Sequence, residues 1–130
     1  MNSTSRNPIV RSYRDLEEYK AAFKLQQDIF KVSKKFPREE MYSMTDQVRR
    51  SSRAIGANLA EAWAKRRYEA HFLSKLTDSD GELQETAHWI DSALACEYLT
   101  EPQHTFLLNS ISSIGSMLGK MIATHQSFCH

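Results

Sequence analysis

Residues 45–63 read TDQVRRSSRAIGANLAEAW. Within them Val48, Ser52, Ile55, Leu59 and Ala62 recur at steps of three and four. That spacing lines up side chains along one side of an α-helix. Small residues crowd the same segment, among them Ser51, Ala54, Gly56, Ala57 and Ala60. A glycine inside a helix costs about 1 kcal/mol relative to alanine, so Gly56 is expected where another helix comes closest. Thr45 suits an N-cap and Asp46 places an acid in the first turn. The pattern predicts a helix over residues 45–67.

The flanking sequence repeats the theme. Ser12 followed by Asp15 resembles a capping box. Leu16, Tyr19, Phe23, Gln26, Ile29 or Phe30, and Ser33 then form a stripe. This predicts a helix over residues 13–35, closed by Lys34 and Lys35 and stopped by Pro37. Residues 36–44 connect it to the next helix, with room for a short helical turn. A third helix is expected over residues 69–98, with Phe72 or Leu73, Leu76, Leu83, Ala87, Ile90 and Leu94 inward and Gly81 interrupting it. Thr100-Glu101-Pro102 opens a fourth over residues 101–125, with Phe106 or Leu107, Ile111, Ile114, Leu118 and Ile122 inward. Residues 1–12 read as a flexible arm and residues 127–130 as a frayed tail. Four amphipathic helices with short connections predict an all-α, elongated, up-down-up-down antiparallel bundle in one domain.

Composition agrees and sets limits. The chain has 130 residues, 41% hydrophobic and 25% charged, with 4 Gly and 3 Pro. That balance suits one globular core and disfavours a turn-rich β architecture. No apolar run approaches the roughly 20 residues of a membrane span, so no membrane is expected as a partner. The N-terminus lacks the apolar core of a secretory signal. Cys96 and Cys129 do not make a disulfide framework. The expectation is a cytoplasmic protein with reduced thiols.

Net charge is only +1, but it is unevenly placed. Residues 1–69 hold 15 Lys and Arg against 9 Asp and Glu; residues 70–130 hold 2 against 7. A basic and an acidic face follow. The basic one suits nucleic acid, and it equally suits the acidic half of the same or another copy.

A longer run, FPREEMYSMTDQVRRSSRAIGANLAEAW over residues 36–63, resembles the 23S rRNA intervening sequence (S23) family. Phe36, Pro37, Glu40, Thr45, Gln47, Arg49, Arg50, Ile55, Asn58, Leu59, Ala60 and Glu61 match the family's pattern. Phe72-Leu73, Ser79, Glu82-Leu83 and Glu85-Thr86 extend the match, which covers about residues 13–125. Met44, Ser51, Ser52, Ala62 and Asp78 depart from it. The resemblance implies a left-handed four-helix bundle, assembled in the cytosol as a cyclic homopentamer. It attaches no enzymatic activity. Some members are encoded within rRNA-gene insertions, and relatives serve diversity-generating retroelements as basic accessory proteins.

Four constellations of residues bear on chemistry. Arg49, Arg53, Lys65, Arg66 and Arg67 on the second helix are the candidate phosphate contacts, since fork-shaped and mobile cations on an open face suit a phosphate backbone. The opposing reading pairs several arginines, Arg50 first, with Asp78, Asp80, Glu82 or Glu85. Gln47, Arg50, Asn58 and Glu61 form a polar ladder beside the apolar stripe, expected to fix helix register or a subunit contact. Glu85-x-x-His88 and Glu101-x-x-His104 match a di-iron element. They lie ~15 Å or more apart along the helices, so no metal or other cofactor is expected. Cys96 and Cys129 stand outside any nucleophile motif.

The sequence therefore predicts a non-enzymatic, homo-oligomeric bundle, with a pentamer favoured by the resemblance. Surplus apolar residues such as Phe30, Leu108 and Met117 are available for assembly. RNA or DNA is the expected ligand. A partner protein docked on the acidic third helix is the alternative.

Overall fold

The structure, a computed structural model, describes residues 9–130. The predicted arm falls outside the described residues up to position 8. Four helices follow: α1 (Glu17–Ser33), α2 (Asp46–Ala64), α3 (Glu69–Ala95) and α4 (Glu101–Ala123). Each packs on its successor, and α4 closes the ring against α1. The result is an all-α four-helix bundle, as predicted. No strand occurs among the described residues.

The helix boundaries differ from the predicted ones for local reasons. The Ser12–Asp15 capping box forms, but it closes a single 3₁₀ turn over Tyr13–Asp15. Leu16 then turns extended, at ψ 130°, and α1 begins at Glu17. Thr45 does not cap α2: its backbone is already helical. A π turn over Met41–Thr45 feeds directly into α2. Glu40 organises this entry, accepting from Ser43 Oγ at 2.6 Å and from Tyr98 Oη at 2.8 Å. Both hydrogen bonds hold the Glu40 carboxylate below its usual range, and the same carboxylate pushes the Tyr98 phenol up to about 12.

Helix α3 ends at Ala95 rather than residue 98. Glu97 adopts the left-handed conformation at φ 65°. Its N–H donates to Leu94 O at 2.9 Å, and that of Tyr98 to Ala93 O at 2.8 Å. This is a Schellman ending in which Glu stands where Gly is usual. At α4, Thr100 and Gln103 form a reciprocal capping box with Pro102 in the first turn.

Gly81 does not interrupt α3, which passes through it unbroken. A Cβ there would meet nothing within 4 Å. Gly81→Ala is therefore expected to raise stability by about 1 kcal/mol, read as a higher denaturant midpoint with an unchanged slope.

The core takes Val48, Ile55, Leu59 and Ala62 from α2 as predicted, with Leu76, Leu83 and Ile90 from α3 and Leu107, Ile114 and Leu118 from α4. On α1 the stripe is displaced: Ala22, Leu25, Ile29 and Ser33 go inside. Phe23 is 46% exposed and Phe30 half-buried. The sequence offers two overlapping apolar stripes on α1, about 100° apart. Packing against both α2 and α4 selects the one of smaller residues.

Hydroxyls let α2 and α3 approach closely. Buried Ser79 donates to Ile55 O at 2.8 Å, and Thr86 Oγ1 lies 2.9 Å from Ser51 Oγ. Gly56 is tight as expected: an added Cβ would lie 3.3 Å from the Tyr19 ring of α1.

The expected frayed tail is also a turn. His125–Phe128 form a 3₁₀ turn. The Phe128 ring packs 6.2 Å from Trp63 and 6.0 Å from Phe72. His125 clamps it, with Nδ1 2.8 Å from Ile122 O and Nε2 2.9 Å from Glu69 Oε2. Both ring nitrogens face acceptors, which suits the protonated imidazole. The Ile122 carbonyl and then the Glu69 carboxylate raise its pKa above 6.5. Its contribution to stability is thus full below that value and lost as pH rises through the raised one. Thermal unfolding should accordingly show wild type exceeding His125→Gln by more at about pH 6 than at about pH 8.

Candidate nucleic-acid interface

The predicted cluster of cations divides into three environments. Arg50 turns to α3, where it lies 2.6 Å from Glu85 and 3.2 Å from Glu82. Arg50, and then the Trp89 indole N–H at 3.0 Å, hold Glu85 below the usual carboxylate range. The pair is partly exposed, so it adds under about 1 kcal/mol to stability. Gln47 Oε1 accepts from Arg50 Nε at 3.3 Å. Glu61 pairs with Lys75 at 3.0 Å, and Asn58 donates to Ala54 O in its own helix. Arg50 and Glu61 of the polar ladder thus reach α3, whereas Asn58 bonds within α2.

The second environment is the C-terminal end of α2. The helix stops at Ala64, so Lys65, Arg66 and Arg67 lie in the turn to α3 rather than on a helix face. Arg66 is half-buried there. Its Nε donates to Trp63 O at 2.9 Å, and its guanidinium lies 3.8 Å from the centre of the Trp63 ring. It satisfies a helix-end carbonyl that has no partner further along the helix. Lys65 and Arg67 are exposed. Sixteen residues separate Lys65 from Arg49, ~24 Å along a helix axis. The five predicted phosphate contacts are therefore not one patch.

The third environment lies between α1 and α2 and centres on Phe30. The Lys34 ammonium is 4.7 Å from the centre of that ring, the Arg49 guanidinium 4.8 Å and the Arg53 guanidinium 5.6 Å. Arg49 Nε also donates to Ser33 Oγ at 2.8 Å, which fixes its direction. None of the three forms an ion pair with a carboxylate among the described residues. The ring's negative face offsets part of their mutual repulsion. An unneutralised group of three cations, one of them oriented by Ser33, is what an incoming anion meets first on this face.

Sequence reasoning did not place Lys34 or Phe30 in the site. In the sequence Lys34 reads as a helix-dipole residue and Phe30 as core or an assembly surface. The available signal was their spacing: Phe30 and Lys34 share one side of α1 at i, i+4.

One residue of each Glu-x-x-His motif is engaged elsewhere. Glu85 serves Arg50, and His104 Nε2 lies 2.9 Å from Asp91 Oδ1. Among the described residues no three His, Cys, Asp or Glu side chains converge.

Helix α4 is the most apolar of the four. It is long and apolar enough to cross a membrane by length and composition, with a mean hydropathy of 1.2 over its best window. No Asp, Glu, Lys or Arg occurs between Glu101 and Lys120. Its inner stripe packs in the bundle, and its outer side carries Ser112, Ser113 and Ser116. Phe106, 53% exposed, stands between two open grooves of about 320 and 330 Å³ against α1.

Comparison with known proteins gives a consistent answer. No curated protein matches the chain. A crystal structure of a protein of unknown function from the S23 ribosomal protein family of Bacteroides thetaiotaomicron superposes with a TM-score of 0.75. It is 28% identical, over 82% of this chain and 96% of that one. The model of the family described as 23S rRNA-intervening sequence protein matches residues 14–120. Neither comparison indicates an enzyme family. With most of its length matched, the chain belongs to the 23S rRNA-intervening sequence protein family.

Proposed function

We propose that this chain is a non-enzymatic, homo-oligomeric scaffold that binds nucleic acid through phosphate contacts from its α1/α2 face. The observation that carries this reading is the group of Lys34, Arg49 and Arg53 around Phe30, without a carboxylate partner among the described residues. Phosphate oxygens suit two guanidinium forks and one ammonium better than they suit solvent-spread lysines. Lys65 and Arg67 form a separate, weaker contact at the other end of α2. Arg66 contributes less, because its guanidinium already serves Trp63.

Assembly is supported by α4. Its uncharged outer side and the half-exposed Phe106 suit contact with another copy. A ring of five, as the resemblance implies, would repeat the basic face and raise weak single-site affinities through avidity. The adaptor alternative is less well supported. On α3, Glu82 and Glu85 share Arg50, so part of the acidic face's charge is offset within the chain.

The test is fluorescence anisotropy of the purified full chain with a labelled RNA and a labelled DNA, titrated with salt. The expected result is micromolar or tighter binding whose log affinity falls steeply with log salt. Absence of binding at low salt would refute the reading.

A further inference from the structure

Beside the Phe30 cations, toward the α1 N-terminus, lies an aromatic groove that phosphate binding does not explain. Tyr13 and Tyr19 meet edge to face at 4.8 Å, and Tyr19 and Phe23 follow at 6.1 Å. The rings border an open cavity of about 290 Å³. Its floor is α2, where Gly56 and Ala57 leave the space a larger side chain would fill. Gly56 lets the Tyr19 ring lie against the helix backbone, at the 3.3 Å approach noted above. Arg53 lines this cavity and also lies over Phe30, so the aromatic groove and the cationic group are continuous. At the opposite end, the Arg14 guanidinium lies 4.6 Å from the centre of the Tyr13 ring, and it forms no ion pair among the described residues.

Cations at both ends, with the exposed Phe23 ring and the half-buried Tyr13 and Tyr19 rings between them, match how single strands are held. Charge follows the backbone, and flat side chains take the faces of successive bases. A duplex offers phosphates but no free base faces, and unstacking it costs energy. From Tyr19 to Phe30 the helix rises ~16 Å, which spans about five nucleotides at a stacked rise of about 3.4 Å. We infer that the α1/α2 groove is a binding site for a single-stranded nucleic acid, with bases stacking at Phe23 and Tyr19 and phosphates held by Arg53, Arg49 and Lys34. This rests on the nucleic-acid reading above and narrows it to unpaired strands.

The test compares three ligands on the full chain at one salt concentration: a short single-stranded oligonucleotide, its duplex and polyglutamate. Phe23→Ala and the charge reversals Arg49→Glu/Arg53→Glu are measured in parallel, with helicity checked by circular dichroism. The single strand is expected to bind at least about tenfold more tightly than the duplex. Phe23→Ala is expected to weaken single-strand binding about tenfold, with duplex affinity and the salt slope unchanged, because one stacked base is lost and no phosphate contact. Phe23→Trp should retain affinity and show quenched emission on binding, beyond any change from Trp63 and Trp89 in wild type. Equal affinity for duplex and single strand, or no effect of Phe23→Ala, would overturn the inference. If the charge reversals still abolished binding in that case, phosphate recognition would stand without stacking. Binding of polyglutamate in preference to either oligonucleotide would overturn both readings.

Discussion

Phe72→Ala is expected to destabilise the fold by about 3–5 kcal/mol, the range for a fully buried phenylalanine truncated in a close-packed core. Phe72 is 0% exposed, in the first turn of α3. Its ring also supports Phe128, which joins it to Trp63 and holds the C-terminal turn on the bundle. Truncation thus opens a cavity and removes the surface on which the tail packs. Domains of this size have about 5–15 kcal/mol in total, so the variant should be near the limit of folding at 37 °C. Denaturant unfolding measures the loss. A cost below about 1.5 kcal/mol would mean that the site collapses freely, and that the described packing at this end of the bundle is wrong.

The double charge reversal Arg49→Glu/Arg53→Glu is expected to lower oligonucleotide affinity by at least about 100-fold at low salt. Two phosphate contacts disappear and two repulsive charges replace them, so the slope of log affinity against log salt should fall by about two. Arg53 makes no hydrogen bond that the fold requires, and Arg49 loses one, to Ser33. Stability should therefore change far less than binding. The matched control is Lys65→Glu/Arg67→Glu, which alters the same net charge at the far end of α2. It is expected to weaken binding less than about threefold, as a distant and screened charge does. Equal losses in the two variants would show that net charge, rather than the Phe30 group, governs binding.

Much of this architecture is legible in the residues. The α2 stripe, the close approach at Gly56 and the Thr100 cap all follow from local rules, because local chemistry and tertiary packing agree there. They disagree in three places. On α1, Phe23 and Ala22 are adjacent and either could begin an inward stripe; only the positions of α2 and α4 decide between them. At Thr45 a plausible cap is overridden because Glu40, fixed by Tyr98 from across 58 residues, organises the turn instead. At Gly81 the expected break is absent because a solvent-facing glycine weakens a helix without ending it.

The site was legible in the same partial way. Arg50 was expected to find acids on α3, and Glu82 and Glu85 sit one turn apart to receive it. That Arg49 and Arg53 share one side follows from i, i+4 spacing. Their grouping with Lys34 and Phe30 requires the α1–α2 packing. The separation of Arg66 requires knowing that α2 ends at Ala64. Phe23 illustrates the general difficulty: an aromatic residue in a helical stripe reads as core, and its exposure appears only when the neighbouring helix is found to present glycine and alanine.

Backbone amide exchange with and without a saturating oligonucleotide locates the face that receives nucleic acid. Binding at the α1/α2 face slows exchange in peptides covering residues 13–34 and 49–57 and leaves α3 and α4 unchanged. Protection confined to residues 65–75, or to the acidic face of α3, would contradict it.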